Sequence, residues 1–159
     1  MNKNIKGFTL IELLVVIAIF ALMANITMVS LNNAKRESRD TKRMSDINQL
    51  RSALQLYSME KLTYPDGDGV ALGVPDRSTL DSRGWAPSPP TVPVYMPIVP
   101  RDPKRVNLAD GSCTDASTSP CDYSYTFFSA DSYVIYFYLE DDLNSMAAGL
   151  HRATKDNIY

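Results

Sequence analysis

The sequence predicts an α+β protein in which one long N-terminal α-helix packs on a small antiparallel β-sheet body. Three observations predict this fold class. Residues 8–61 contain neither Gly nor Pro, so one helix can run through them without interruption. Nine of the ten prolines then lie between Pro65 and Pro103, which leaves little room for further long helices. Two runs rich in aromatic and β-branched residues, at 123–128 and 133–140, predict a β-hairpin.

The chain divides into four predicted segments. They are a leader at 1–7, a transmembrane and assembly half of the helix at 8–31, an amphipathic half at 32–61, and a globular head at 62–159 that holds a Pro-rich loop and the C-terminal β-hairpin. The formal net charge of −2 hides an asymmetry, because bases outnumber acids up to residue 61 and acids outnumber bases after it. The basic run at 35–43 has no interleaved aromatic residue, so there is no specific signal for nucleic-acid binding.

The apolar run at 8–31 contains no Lys or Arg and a single acid, Glu12. At about 1.5 Å per residue, a helix of this length crosses a hydrocarbon core of about 30 Å. The run is too long for a secretory signal peptide, and no small-residue cleavage site follows it. An ordinary signal anchor fits the length but leaves Glu12 unexplained, since a carboxylate in lipid costs about 3 kcal/mol on insertion scales. The short basic leader predicts a single pass with the N-terminus in the cytoplasm.

The stretch KGFTLIELLVVIAI, at residues 6–19, resembles the N-terminus of type IV pilins and of the related type II secretion pseudopilins. The resemblance implies that the leader ends at Gly7 and is removed by a prepilin peptidase on the cytoplasmic side. Phe8 would then be the N-methylated first residue, and Thr9 and Glu12 complete the match as assembly residues. The implied fold is the pilin-like ladle, with a transmembrane first half of its long helix and a small sheet body.

The same resemblance gives Glu12 a partner. It implies that the carboxylate pairs with the N-terminal ammonium of a neighbouring copy. The pair would form while an inner-membrane assembly platform moves subunits from lipid into a helical homopolymer. Such a buried ion pair would set the axial register more than it adds stability. Two departures from the family are visible: the middle of the helix lacks Gly and Pro, and Lys104 and Arg105 follow Asp102–Pro103 where relatives often carry Trp–Gly.

The second half of the helix carries an apolar stripe that is predicted to pack on the hairpin. Its members recur at spacings of three and four residues: Met44, Ile47, Leu50, Leu54 and Tyr57. Residues 35–43 are charged on nearly all sides and favour a solvated helix with i,i+3 and i,i+4 ion pairs. The alternative is contact with anionic lipid headgroups or with acidic bodies of neighbours. Residues 141–159 are predicted to form a loop or a short helix and tail.

Cys113 and Cys121 lie in a loop rich in Gly, Ser, Thr and Asp, and they predict one disulfide in an extracytoplasmic domain, with two free thiols as the alternative. Asp110, Asp115 and Asp122 surround them and are weak calcium candidates, since major pseudopilins carry a calcium site in a comparable loop. A solvated acidic loop is the favoured alternative, and no other cofactor is expected. The DGDG stretch at 66–69 is predicted to be a turn, because the later EF-hand ligand positions are not filled by acids.

We therefore expect a structural subunit of a type IV pilus-like filament. No enzyme is expected, because His151 is the only histidine and no nucleophile motif is present. A pseudopilin of a type II secretion system is the nearest alternative, and a membrane-anchored monomeric binding domain is a different class. The expected location is the cytoplasmic membrane, with lipid around the helix before assembly, and then an extracellular pilus or a periplasmic pseudopilus.

Overall fold

The computed structural model describes residues 8–104, 113–114, 117 and 121–159, with the backbone but not the side chains of residues 25–27 and 29. It begins with one long helix, α1, at Leu10–Lys61, so the predicted helix is confirmed. The helix ends where Leu62 adopts a φ of 59°, a left-handed backbone conformation that residues other than Gly rarely adopt. The chain forms two compact units, Met1–Arg36 and Glu37–Tyr159, and each is described on its own.

The first unit contains the N-terminal part of α1. The described large apolar side chains at 8–31 are all exposed, with exposed fractions between 40% at Val16 and 83% at Leu10. No helix in the described part of the chain is both long enough and apolar enough to qualify as a membrane span. The transmembrane segment at 8–31 stays a prediction.

The second unit places the remainder of α1 against β-strands. Within the described residues the strands are β1 at Val70–Ala71, β2 at Thr79–Asp81, β3 at Gly84–Ala86, β4 at Val94–Met96, β5 at Ser124–Ser129, β6 at Ser132–Leu139 and β7 at Gly149–Ala153, with a 3₁₀ helix at Pro75–Arg77. They form a four-stranded sheet in the order β1-β5-β6-β7 and a three-stranded sheet in the order β3-β2-β4. Every strand pair is antiparallel. Together with α1 they confirm the predicted α+β class.

The core of the second unit is the interface between α1 and the four-stranded sheet. Ile47, Leu50 and Leu54 of the predicted stripe are completely buried. They join one hydrophobic cluster with the buried aromatic side chains of the hairpin, namely Tyr123, Tyr125, Tyr133 and Phe137. The predicted hairpin is β5–β6, in which Tyr125 lies opposite Ile135.

Two parts of the body differ from the sequence-based expectation. Residues 149–153, predicted as loop or short helix, form β7, in which His151 pairs with Phe137 of β6. This segment lacks alternating hydrophobicity, and its extended form comes from the backbone of β6. The three-stranded sheet was also not expected, because its strands have three residues each and lie among prolines and turns.

The last residues of the chain lie along the outer edge of β7. Arg152 and Tyr159 exchange two backbone hydrogen bonds of 3.0 and 2.9 Å, and the amide of Thr154 donates to the carbonyl of Asn157 at 2.8 Å. From α1, Arg51 donates its Nε hydrogen to the carbonyl of Thr154 at 2.9 Å. The tail is therefore held by both the sheet and the helix.

Candidate assembly site

The start of α1 is closed by a reciprocal pair of hydrogen bonds between Thr9 and Glu12. The amide of Glu12 donates to Thr9 Oγ1 at 3.3 Å, and the amide of Thr9 donates to Glu12 Oε2 at 2.9 Å. The Thr9 hydroxyl also donates to Glu12 Oε2, at 2.7 Å. Because Thr9 directly precedes the helix and Glu12 is its third residue, this is a capping box, which satisfies helix amides that have no intrahelical partner.

The capping box fixes the Glu12 carboxylate within its own chain. The family resemblance implies a partner from a neighbouring copy for this carboxylate, whereas the structure shows a partner within the same chain. The Thr-x-x-Glu spacing before an apolar run is itself a sequence signal for a capping box, so this role of Thr9 could have been found. Both hydrogen bonds from Thr9 to the carboxylate use Oε2, and Oε1 has no hydrogen-bond partner among the residues that the structure describes. One carboxylate oxygen therefore stays available for a cation.

The surface around Glu12 is apolar. A shallow depression of about 310 Å³ is lined by Phe8, Ile11, Glu12, Val15 and Val16. Glu12 is the only charged residue in it, so a cation that reached the carboxylate would do so against an apolar surface. Gly7, the predicted end of the leader, lies outside the described residues.

A buried charge cluster connects α1 to the body in the second unit. Arg43 is completely buried. Its Nε and Nη2 donate to the two oxygens of Asp102 at 2.6 and 2.8 Å. Its Nη1 donates to Asp40 at 2.6 Å and to Glu140 at 2.9 Å. Burial alone would lower the pKa of Arg43, but hydrogen bonds to these carboxylates raise the pKa above its ordinary value.

Glu140 and Asp40 complete this cluster. Glu140 accepts from Arg39 Nε at 2.6 Å and from Lys104 Nζ at 3.1 Å, and chiefly the bond from Arg39 lowers its pKa to about 2. Asp40 accepts the backbone amide of Glu140 at 3.0 Å, which joins the helix to the end of β6. Within the described residues, three carboxylates balance three cations here, which offsets the cost of removing them from water.

This cluster corrects the prediction for residues 35–43. That prediction was a solvated helix with pairs along its own surface, and it is wrong for Asp40 and Arg43, which are buried. Their own pair does have the predicted i,i+3 spacing. The other partners of Arg43 lie 59 and 97 residues away along the chain. No spacing rule on a helix can reveal partners at that separation.

The structure contains a disulfide between Cys113 and Cys121. The amide of Cys113 donates to the carbonyl of Asp122 at 2.8 Å, and the Asp122 carboxylate accepts Arg101 Nη2 at 2.6 Å. The other calcium candidates, Asp110 and Asp115, lie outside the described residues. Among those described, no group of three or more His, Cys, Asp or Glu residues could hold a metal ion, and calcium stays a prediction.

A long N-terminal helix packed on antiparallel sheets defines a pilin-like α+β protein. Comparison with known families agrees with this class, since residues 2–24 match the prokaryotic N-terminal methylation motif. The resemblance carried by residues 6–19 is thereby confirmed.

Named relatives extend the similarity beyond the motif. The chain is similar to type II secretion system core protein G of Pectobacterium carotovorum, with 31% identity over 62% of this chain and 61% of the relative. The protein of that name from Dickeya chrysanthemi is 31% identical over 65% of each chain. The type IV wide pilus major component PilA4 of Thermus thermophilus is 32% identical over 48% of this chain and 59% of the relative. The chain thus matches less than two thirds of the length of these relatives. No solved structure matches it significantly.

Proposed function

We propose that the chain is the structural subunit of a type IV pilus-like filament, cleaved after Gly7 by a prepilin peptidase and polymerised through its N-terminal helix. The observation that carries this proposal is the exposure of the apolar side chains at 8–31. A helix that is apolar on all sides requires lipid or other helices around it. A second copy of the chain supplies the same apolar surface, and head-to-tail contacts of this kind produce open helical filaments.

Within that filament, Glu12 is the register-setting residue. Cleavage after Gly7 converts the nitrogen of Phe8 into a free ammonium and leaves the amide of Thr9 intact. The capping box therefore persists in the mature chain and keeps Oε2 occupied. Oε1 then accepts the ammonium of a neighbouring copy, and the pair selects one axial position among the many that an apolar surface alone would tolerate.

The same proposal gives the protein its location and partners. Before assembly the apolar helix lies in the cytoplasmic membrane with its N-terminus in the cytoplasm, where peptidase and assembly platform act. The body lies outside the cytoplasm, which suits its disulfide. After assembly the bodies form the outer surface of a pilus. We propose no catalytic role for it.

The test is made in the native host with two matched variants. Mass spectrometry of the mature chain is expected to find N-methylated Phe8 at its start. Glu12→Gln is expected to insert normally yet give at least tenfold less sheared filament, whereas Glu37→Gln, at an exposed site on the same helix, behaves as wild type. An intact Met1 indicates the anchored monomer instead, and normal filaments from Glu12→Gln refute the role of the carboxylate.

A pseudopilin of a type II secretion system is the second candidate, supported by the relatives named core protein G. The two are separated by electron microscopy of sheared cell surfaces together with an assay of secreted proteins. Long surface filaments with unchanged secretion support a pilus. Deletion that stops secretion without removing surface filaments supports a periplasmic pseudopilus.

A further inference from the structure

A cavity of about 440 Å³ lies in the body where the end of α1 meets the turn at 66–69 and the β2–β3 turn. Its volume falls within the range of about 300–1,000 Å³ that is usual for small-molecule sites. Its lining combines three aromatic residues with three charged ones, namely Tyr57, Tyr64 and Trp85 with Asp66, Arg77 and Arg83. Neither the filament proposal nor the core packing gives this cavity a role.

The aromatic side chains are fixed by edge-on contacts with the core. Tyr57 packs on Tyr95 with centroids 5.2 Å apart, and Tyr64 packs on Tyr133 at 4.6 Å. Trp85 packs on Tyr125 at 5.1 Å. Rings held in this way form a preorganised wall, so a ligand need not order them on binding.

One polar group in this wall is buried without a partner. The Trp85 Nε1 hydrogen has no acceptor among the residues that the structure describes. Buried polar groups are nearly always hydrogen-bonded, so an unpartnered one beside a cavity requires an explanation. Tyr57 lines the same cavity, and its hydroxyl makes no hydrogen bond to any described residue. Burial and, next, the charge of Asp66 raise the pKa of Tyr57, which keeps its hydroxyl protonated as a donor.

The charged residues of the cavity have opposite signs. Within the described chain, neither Asp66 nor Arg77 has a side-chain hydrogen bond or ion pair. Arg83 is already neutralised by Asp81, at 2.7 Å. A cationic ligand would face Arg77 and an anionic one would face Asp66, so this balance favours a neutral ligand with many hydroxyl groups.

We propose that this cavity binds a neutral saccharide and accommodates one of its pyranose rings. The aromatic wall would pack against the C–H face of the sugar ring, since the faces of aromatic rings are electron-rich. The Asp66 carboxylate would accept hydrogen bonds from two neighbouring hydroxyls, and Arg77 and Tyr57 would donate to ring or hydroxyl oxygens. The DGDG turn then has a use, because it presents Asp66 beside the wall.

Trp85 makes the proposal directly testable, because it is the only tryptophan in the chain. The full chain is purified in a detergent without a sugar headgroup and titrated with glucose, galactose and N-acetylglucosamine while Trp85 fluorescence is recorded. At least one sugar is expected to give a saturable change with a dissociation constant of about 1 mM, in the range of weak sites. Asp66→Asn and Tyr57→Phe are expected to weaken that binding at least tenfold. Asp68→Asn, two residues away and outside the cavity, is the matched control and should leave it unchanged.

The proposal is overturned if no sugar gives a saturable change up to about 100 mM, far above the expected range. Equal affinity in Asp66→Asn also overturns it, as does a saturable response to glycylglycine with none to the sugars, which would assign the cavity to peptides. Thermal unfolding confirms that each variant is folded. The assay uses unassembled chains, so its outcome is independent of filament formation.

Discussion

The guanidinium of Arg43 donates two hydrogen bonds to Asp102, which lies 59 residues further along the chain. Both side chains are fully buried. The pair connects α1 to the Pro-rich segment that leads away from β4, and Asp40 and Glu140 extend it to the end of β6. The position of this ion pair makes it a determinant of how the second half of α1 packs on the body.

Replacing Arg43 by Met is expected to destabilise the body by about 3–5 kcal/mol, because it leaves the carboxylates of Asp102 and Asp40 buried without their cation. The measurement is the free energy of unfolding of the full chain in denaturant. Lys42→Met, at the exposed neighbouring position, is the control and is expected to change stability by less than about 0.5 kcal/mol. A loss of similar size in both variants would show that the cluster has no special role.

Glu140→Gln is expected to remove part of the acid sensitivity of the fold. Arg39 and its neighbours lower the pKa of Glu140 from 4.5 to about 2, so the unfolded chain takes up this proton at a higher pH than the folded one. The stabilisation is complete above about pH 4.5 and is lost as the pH falls towards 2, an effect on the order of 2 kcal/mol. Unfolding curves at pH 7 should separate wild type from the variant, and curves near pH 2 should not.

Asp46→Asn should act in the opposite direction. Asp46 accepts the Tyr123 hydroxyl at 3.2 Å, and burial raises the pKa of Asp46 above 3.8 despite the opposing effects of Lys42 and that bond. A raised folded pKa means that stability present at low pH is lost as the pH rises through it. Asparagine stays neutral and still accepts the hydroxyl, so the variant should be more stable at pH 7 by roughly 0.5–1 kcal/mol. The gain should vanish near pH 3, and a loss of stability at pH 7 would contradict the prediction.

Thr9→Val tests the capping box apart from the charge of Glu12. The substitution keeps the shape of the side chain but removes Oγ1, and losing such a cap costs about 1 kcal/mol at a helix start. We expect a several-fold lower yield of sheared filaments, measured by immunoblot, because Glu12 loses its bond to the Thr9 hydroxyl and is held by the Thr9 amide alone. Thr9→Ser restores the hydroxyl and should restore the yield. Wild-type yield from Thr9→Val would separate the cap from assembly.

Reduction of the Cys113–Cys121 disulfide, which joins residues 8 positions apart, should lower the free energy of unfolding by about 2–3 kcal/mol from loop entropy. Unfolding with and without reductant measures the effect. A variant with both cysteines replaced by Ser should match the reduced protein and show no response to reductant. Equal stability of the oxidised and reduced chains would contradict this expectation.

The sequence predicts those parts of the fold that have a repeating pattern of apolar residues along the chain. The stripe through Ile47, Leu50 and Leu54 has the helical period, and the aromatic runs of β5 and β6 indicate strands directly. The site at Thr9 and Glu12 is visible for the same reason, since its spacing is local.

The remainder depends on contacts between distant residues. The partners of Arg43 belong to a loop and a strand end that no local pattern connects to the helix. β7 has no alternating pattern of its own, and only the edge of β6 makes it a strand. The strands around Leu80 are too short to give a periodic signal.

The backbone pairing of Tyr159 with Arg152 affects how many copies of the body can lie side by side without aggregating. A filament concentrates many identical bodies, and a bare strand flank on each would be a template for amyloid-like stacking. Because residues 157–159 pair with Arg152 and Thr154, the outward backbone groups at the end of β7 are already hydrogen-bonded. That part of the edge is then closed to strand pairing with a neighbouring body.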